Sequence, residues 1–126
     1  FGTLDTVKNS PVLKNKQGLA YWGPCDVLVN ELSMSASANF TAWFMDRARG
    51  EVIGAPASGT NGGTFANPYT FYLTNTGLPV SVSTMKINLL SVGQKEVPLV
   101  PNHRIIPTIE ELKQEVDGVL NFALKH

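Results

Sequence analysis

The 126-residue sequence predicts a mixed α/β domain. Three observations carry that prediction: a short strand pattern that gives way at once to helical spacing, a later pair of β-rich segments around a turn, and an amphipathic stripe that closes the chain. The first is Asp26-Val27-Leu28-Val29-Asn30-Glu31, an apolar run bounded by the Gly23-Pro24 turn, which suits a buried strand central in its sheet. From Ala36 the period changes. Ala36, Phe40, Trp43 and Phe44 fall at i, i+4, i+7 and i+8, a helical face that reads as core, and Gly50 stands where such a helix should stop.

Glu51-Val52-Ile53-Gly54 reads as another short strand, and the Gly-, Ser- and Asn-rich residues 55–64 that follow read as a flexible surface loop. The β-branched and aromatic segments from Tyr69 to Thr74 and from Val80 to Ile87 flank Asn75-Thr76-Gly77-Leu78-Pro79, which predicts a hairpin. Prolines punctuate Val97 to Pro107 and place His103 in a turn. Thr108-Ile109-Glu110-Glu111 is a capping box, and Ile109, Leu112, Val116, Val119, Leu120 and Ala123 then form one stripe, so a single terminal helix is expected. Turn signals scattered through residues 1–23 predict an irregular or hairpin segment. Residues 1–126 fit one domain.

Composition narrows the function. Ten basic and ten acidic side chains cancel without forming a run, so the cationic footprint of a nucleic-acid partner is missing. Cys25 stands alone, which excludes an intrachain disulfide and a Cys₄ or Cys₂His₂ zinc site. No apolar run approaches the roughly 20 residues of a membrane-spanning helix, so no membrane partner is expected. With 43% hydrophobic residues the chain can build a core.

The stretch richest in chemistry is Asn30-Glu31-Leu32-Ser33-Met34-Ser35-Ala36-Ser37-Ala38, where three serines lie between strand and helix. Two readings of Ser35 stand side by side. Serine is a favoured N-cap, and a hydroxyl at the same place also sits beside free N–H groups and the positive end of a helix, which suits a nucleophile. His103 and His126 read as solvated or hydrogen-bonded histidines rather than metal ligands, and Asp46 as a solvated carboxylate in the last turn of its helix. Asn39-Phe40-Thr41 fits a glycosylation sequon but falls inside the predicted helix. The glycines from Gly59 to Gly63 lack the Gly-Lys-Ser/Thr ending of a phosphate loop and open no helix.

Taken in order, Tyr21-Trp22-Gly23-Pro24, Val27-Leu28-Val29-Asn30-Glu31, Ser33-Met34-Ser35-Ala36-Ser37, Arg49-Gly50-Glu51-Val52-Ile53-Gly54-Ala55-Pro56, Val100-Pro101-Asn102-His103 and Pro107-Thr108-Ile109-Glu110-Glu111-Leu112 resemble the C-terminal-processing (tail-specific) family of serine peptidases. The resemblance runs from about residue 20 to 124. It implies the Clp-protease/crotonase-like fold of stacked strand-strand-helix units, with this chain as the C-terminal part of the catalytic domain. It also implies Ser35 as nucleophile, the Ala36 N–H as an oxyanion donor, and Gly59, Thr60 and Gly62 on the substrate-binding rim.

Thr60 stands where the serine-lysine members carry their basic lysine, and a threonine cannot take that proton near neutral pH. The chain is therefore closer to the serine-histidine-glutamate type, similar to the tricorn core protease, with Glu96 as candidate glutamate although it is one residue out of the family's register. An exposed strand-edge charge is the competing reading of Glu96. Neither histidine matches the family's base. That base and the Arg-x-Asn-x-Gly-Gly segment would precede Phe1, so the expectation is a C-terminal portion of a larger peptidase, inactive alone.

The implied function is endopeptidase hydrolysis of polypeptides through an acyl-enzyme on Ser35, and the alternative is an inactive peptide-binding or scaffold homologue. A crotonase-like acyl-CoA enzyme is disfavoured by Ser33-Met34-Ser35-Ala36-Ser37. The implied partners are a polypeptide substrate and the N-terminal remainder of the enzyme, with a homo-oligomer left open and no cofactor. An extracytoplasmic location, periplasmic or secreted, follows from the exported relatives.

Overall fold

The computed structural model describes residues 21–90 and 94–126, so most of the segment expected to be irregular or hairpin-like at 1–23 lies outside the described residues. Among the described residues the elements follow one another as β1 (Val27–Val29), α1 (Ala36–Asp46), β2 (Val52–Gly54), β3 (Gly63–Tyr72), β4 (Pro79–Asn88), β5 (His103–Arg104), α2 (Ile109–Lys113) and α3 (Gly118–Ala123). The architecture is the expected mixture of α and β. No described helix is long and apolar enough to cross a membrane.

β1, β2 and β5 form a parallel sheet in the order β1-β2-β5, with Val27 opposite Val52 and Ile53 opposite His103. The expectation that the first strand is central is thus corrected. Among the described residues β1 is an edge, Leu28 is exposed, and β2 is the central strand with Val52, Ile53 and Gly54 all buried. β2 wins the centre because it is the strand that both neighbours can approach closely. Gly54 holds φ 129, and a Cβ there would come within 1.9 Å of the Val29 carbonyl oxygen, so only glycine admits this contact. Asn102 fastens the third strand by accepting the Val52 N–H on its Oδ1 at 2.9 Å.

α1 crosses from β1 to β2 and buries Ala38, Thr41, Ala42 and Phe44. One group of contacts joins Ala38 and Ala42 to Ala57 and Leu99, and another joins Phe44 to Val29 and Val52, with Met45 packed against both. This corrects the stripe expected as core. Phe40 and Trp43 are 53% and 52% exposed, stacked on each other at a 6.2 Å centroid separation, because the helix presents its small residues to the chain at Ala57. The helix stops before Gly50, at Arg47, and Ala48 takes the left-handed conformation with φ 45. Asp46 is exposed, as expected, beside Arg47.

β3 and β4 make the predicted hairpin, longer than the sequence suggested and paired from Gly63–Asn88 to Tyr72–Pro79. The terminal helix is broken in two. The capping box at Thr108 and Glu111 is present in full, but Gln114 caps α2, Glu115 turns left-handed at φ 55, and Asp117 opens α3 by accepting the Leu120 N–H. Asp117 and Gly118 favour a new helix start over continuation, so the stripe divides and Ile109 and Leu112 are left exposed. β5 replaces the turn expected around His103, whose ring packs on Phe122 and His126.

Candidate functional site

Two tight turns in succession join β1 to α1. In the first, the Ser33 N–H donates to the Asn30 carbonyl at 2.9 Å while Asn30 Oδ1 accepts the Leu32 N–H at 3.0 Å. Ser33 Oγ accepts the Asn30 N–H, so that hydroxyl is committed to the turn. In the second, the Ser37 N–H donates to the Met34 carbonyl at 3.1 Å and Ser35 holds φ 54, ψ −118. These are the angles of the first central residue of a type II′ turn, a place glycine normally fills. A serine there costs of order 1–3 kcal/mol of backbone strain, which persists only where the surroundings enforce it.

Ser35 is the N-cap residue of α1 by position, yet its side chain makes no capping hydrogen bond. Capping, the competing reading of this serine, is therefore not what it does. Its side chain is exposed and has no hydrogen-bond partner among the described residues. Ala36 follows as the first helical residue, where the N–H has no intrahelical acceptor. One turn further, Asn39 Oδ1 is shielded from solvent without a partner, which is costly for an acceptor.

The segment expected as a free surface loop is instead strapped to this junction, which corrects that expectation. Ser58 bridges to Met34 in parallel register and donates its hydroxyl to the Glu31 carbonyl, while Ala55, Ala57 and Gly62 are buried. Gly59 lies against the first turn of α1, so that a Cβ there would sit 3.0 Å from the Ala38 Cβ. Thr60 bridges to Pro98, and its Oγ1 donates to Glu96 Oε1 at 2.5 Å while accepting the Gly62 N–H at 3.2 Å. Gly62 is equally close, since a Cβ on it would come within 2.5 Å of the Glu96 carboxyl carbon.

The structure thus joins Thr60, Gly62 and Glu96 into one hydrogen-bonded group and lays Gly59 beside the helix that begins after Ser35. No hydrogen bond connects that group to Ser35 among the described residues. Sequence reasoning missed Asn61, which clasps the facing segment: its Oδ1 accepts the Val97 N–H at 2.8 Å and its Nδ2 donates to the Lys95 carbonyl at 3.3 Å. An asparagine between Thr60 and Gly62 in a glycine-rich loop gives no periodic signal that could have revealed it.

One groove borders the junction and a second lies at the far end of α1. The first, of about 620 Å³, lies between Leu28–Ser33 and the α2–α3 region, and the other, of about 390 Å³, lies beside Trp43, Asp46 and Leu90. Ser33 lines the first, and Ser35 lines neither. His103 stands away from the turn on β5, with Nε2 3.8 Å from Glu51 Oε2. Groups of His, Cys, Asp or Glu arranged to hold a metal do not occur among the described residues.

Among curated proteins none matches the chain. A family model described as peptidase family S41 matches residues 3–110.

Proposed function

Because the chain belongs to peptidase family S41, we propose that it bears the nucleophile of a serine endopeptidase and that Ser35 is that nucleophile. Ser35 Oγ attacks the scissile carbonyl, the amine half leaves with a proton, and water then hydrolyses the acyl-enzyme to free the serine. The observation that carries this reading is the strained, exposed and unpartnered Ser35 at the start of α1. A side chain with no structural bond of its own, held in a conformation that serine disfavours, is what a presented nucleophile requires. The Ala36 N–H is the oxyanion donor on this reading, and the helix end adds its favourable field.

On this reading the general base comes from outside the described residues, since none of them bonds to the Ser35 hydroxyl. The orphaned Asn39 Oδ1 supports an incoming donor at the same end of α1. Glu96, held by Thr60, is the carboxylate that would orient such a base, in keeping with the serine-histidine-glutamate type. The Clp-protease/crotonase-like arrangement, tail-specific cleavage of extended polypeptides and an extracytoplasmic location belong to the same proposal and rest on the family resemblance. The strap of residues 58–62 supplies the rim along which a peptide would lie.

The test uses the full-length protein. Ser35→Ala should lower kcat/KM on extended peptides by several orders of magnitude while peptide binding persists, and a fluorophosphonate should form its adduct on Ser35. Thr60→Ala should cost far less. Full turnover by Ser35→Ala would sink the serine mechanism. A second reading, an inactive peptide-binding homologue, is favoured by the lack, among the described residues, of a base bonded to the Ser35 hydroxyl. It predicts peptide binding with neither turnover nor labelling.

A further inference from the structure

The groove between the end of β1 and the α2–α3 region is lined by residues of two characters. Leu28, Ile106, Leu112 and Val116 line it with aliphatic carbon, and all four are exposed to solvent there. Three carboxylate residues, Glu31, Glu115 and Asp117, also line it, and among the described residues no lysine, arginine or histidine does. Glu31 and Glu115 form no ion pair among the described residues, and Asp117 spends Oδ1 on the Leu120 N–H. The acids are not gathered into a group that could hold a metal ion.

A groove lined by both aliphatic residues and spread negative charge fits one chemistry, a long alkyl stem ending in a cation. Lysine and arginine side chains have that form, since they lay methylenes along apolar surface and keep the charged head at the wet edge. Ser33 lines the groove two residues before Ser35, so the two Cα atoms lie within about 7 Å of each other even at full extension. A side chain seated at the Ser33 end of the groove is thus within reach of a peptide whose backbone passes the Ser35 turn. We propose that this groove is a specificity subsite for a lysine or arginine of the polypeptide bound at that turn. The meaning of the subsite rests on the peptidase reading, but its test does not.

An alanine-based peptide in which one lysine is moved along the sequence is compared, at each position, with homocitrulline, a neutral isostere, by fluorescence anisotropy on the intact protein. One position should favour lysine by about three- to tenfold, as expected for two or three partly exposed charge contacts. The combined substitution Glu31→Gln and Glu115→Gln should bring the two peptides within about twofold of each other. If that variant does not fold, the wild-type preference must still shrink as salt is raised to about 0.5 M, because exposed charges are screened. Absence of peptide binding, equal affinity at every position, or a preference that survives both charge removal and salt would overturn the subsite. Cleavage of all the peptides without lysine preference would overturn the subsite and leave the peptidase reading standing. A lysine preference in binding without cleavage would do the reverse.

Discussion

Replacing Ser35 by glycine should make the protein more stable. The backbone there sits at φ 54, ψ −118, where a Cβ costs about 1–3 kcal/mol, and glycine removes that cost. Against the gain stands the extra freedom of glycine in the unfolded chain, worth about 0.4–1 kcal/mol, so a net rise of about 1 kcal/mol is expected. For a chain of this length that is a rise of roughly 3–5 °C in Tm. Ser35→Ala retains the Cβ and loses no capping bond, since none exists, and should stay within about 0.5 kcal/mol of wild type. A serine that did cap the helix would behave otherwise. Alanine would lose about 1 kcal/mol and glycine a few tenths, both below wild type. Urea unfolding of the three proteins reads the difference, and a glycine variant less stable than wild type would refute the strain argument.

Gly54→Ala should cost about 2–4 kcal/mol, because its Cβ would meet the Val29 carbonyl oxygen at 1.9 Å from a left-handed backbone, and thermal unfolding would show the loss. Asn61→Ala should cost about 0.5–1.5 kcal/mol by removing the clasp on Val97 and Lys95, and hydrogen exchange at Val97 should accelerate more than elsewhere. Hydrogen bonds from the Thr108 N–H, and secondarily from its hydroxyl, hold the Glu111 carboxyl below the usual glutamate range. Its folded value is depressed, so the stabilisation of α2 is complete above that usual range and is lost as pH falls through the lowered value. Amide shifts of Thr108–Lys113 should follow that loss, and Glu111→Gln should flatten the response.

The strand-turn-helix unit around Ser35 was legible because apolar spacing changes from a continuous run to helical period within a few residues. The second strand and the hairpin were legible for the same kind of reason, since β-branched and aromatic segments are bounded by strong turn residues. The buried face of α1 was not. Large apolar side chains dominate a periodicity reading, whereas this helix buries Ala38 and Ala42 so that Ala57 and Leu99 can come close, and leaves Phe40 and Trp43 outside. The break at Glu115 was hidden by a stripe that continues across it, although Asp117-Gly118 carried the signal of a second helix start. Within the site, local sequence marked Ser35 as one of two things, and only its dihedral angles and missing capping bond separated them. The contact between Thr60 and Glu96 joins residues 36 apart in sequence and lies beyond any local pattern.

The hairpin also has a bearing on how the chain finds this fold. Pairing Ile53 with His103 requires closing a loop of about 50 residues, a non-local step that slows folding. β3 and β4 can zip from their own turn first, through contacts close in sequence, and doing so brings Gly63 beside Asn88. The loop that remains is then effectively about half as long, which lowers its closure cost by about 0.6 kcal/mol and quickens the search about threefold. A ribbon whose side chains are mostly exposed thus acts as a clasp during folding, and weakening it would delay assembly of the parallel sheet that carries Ser35 even though the two share few contacts once folded.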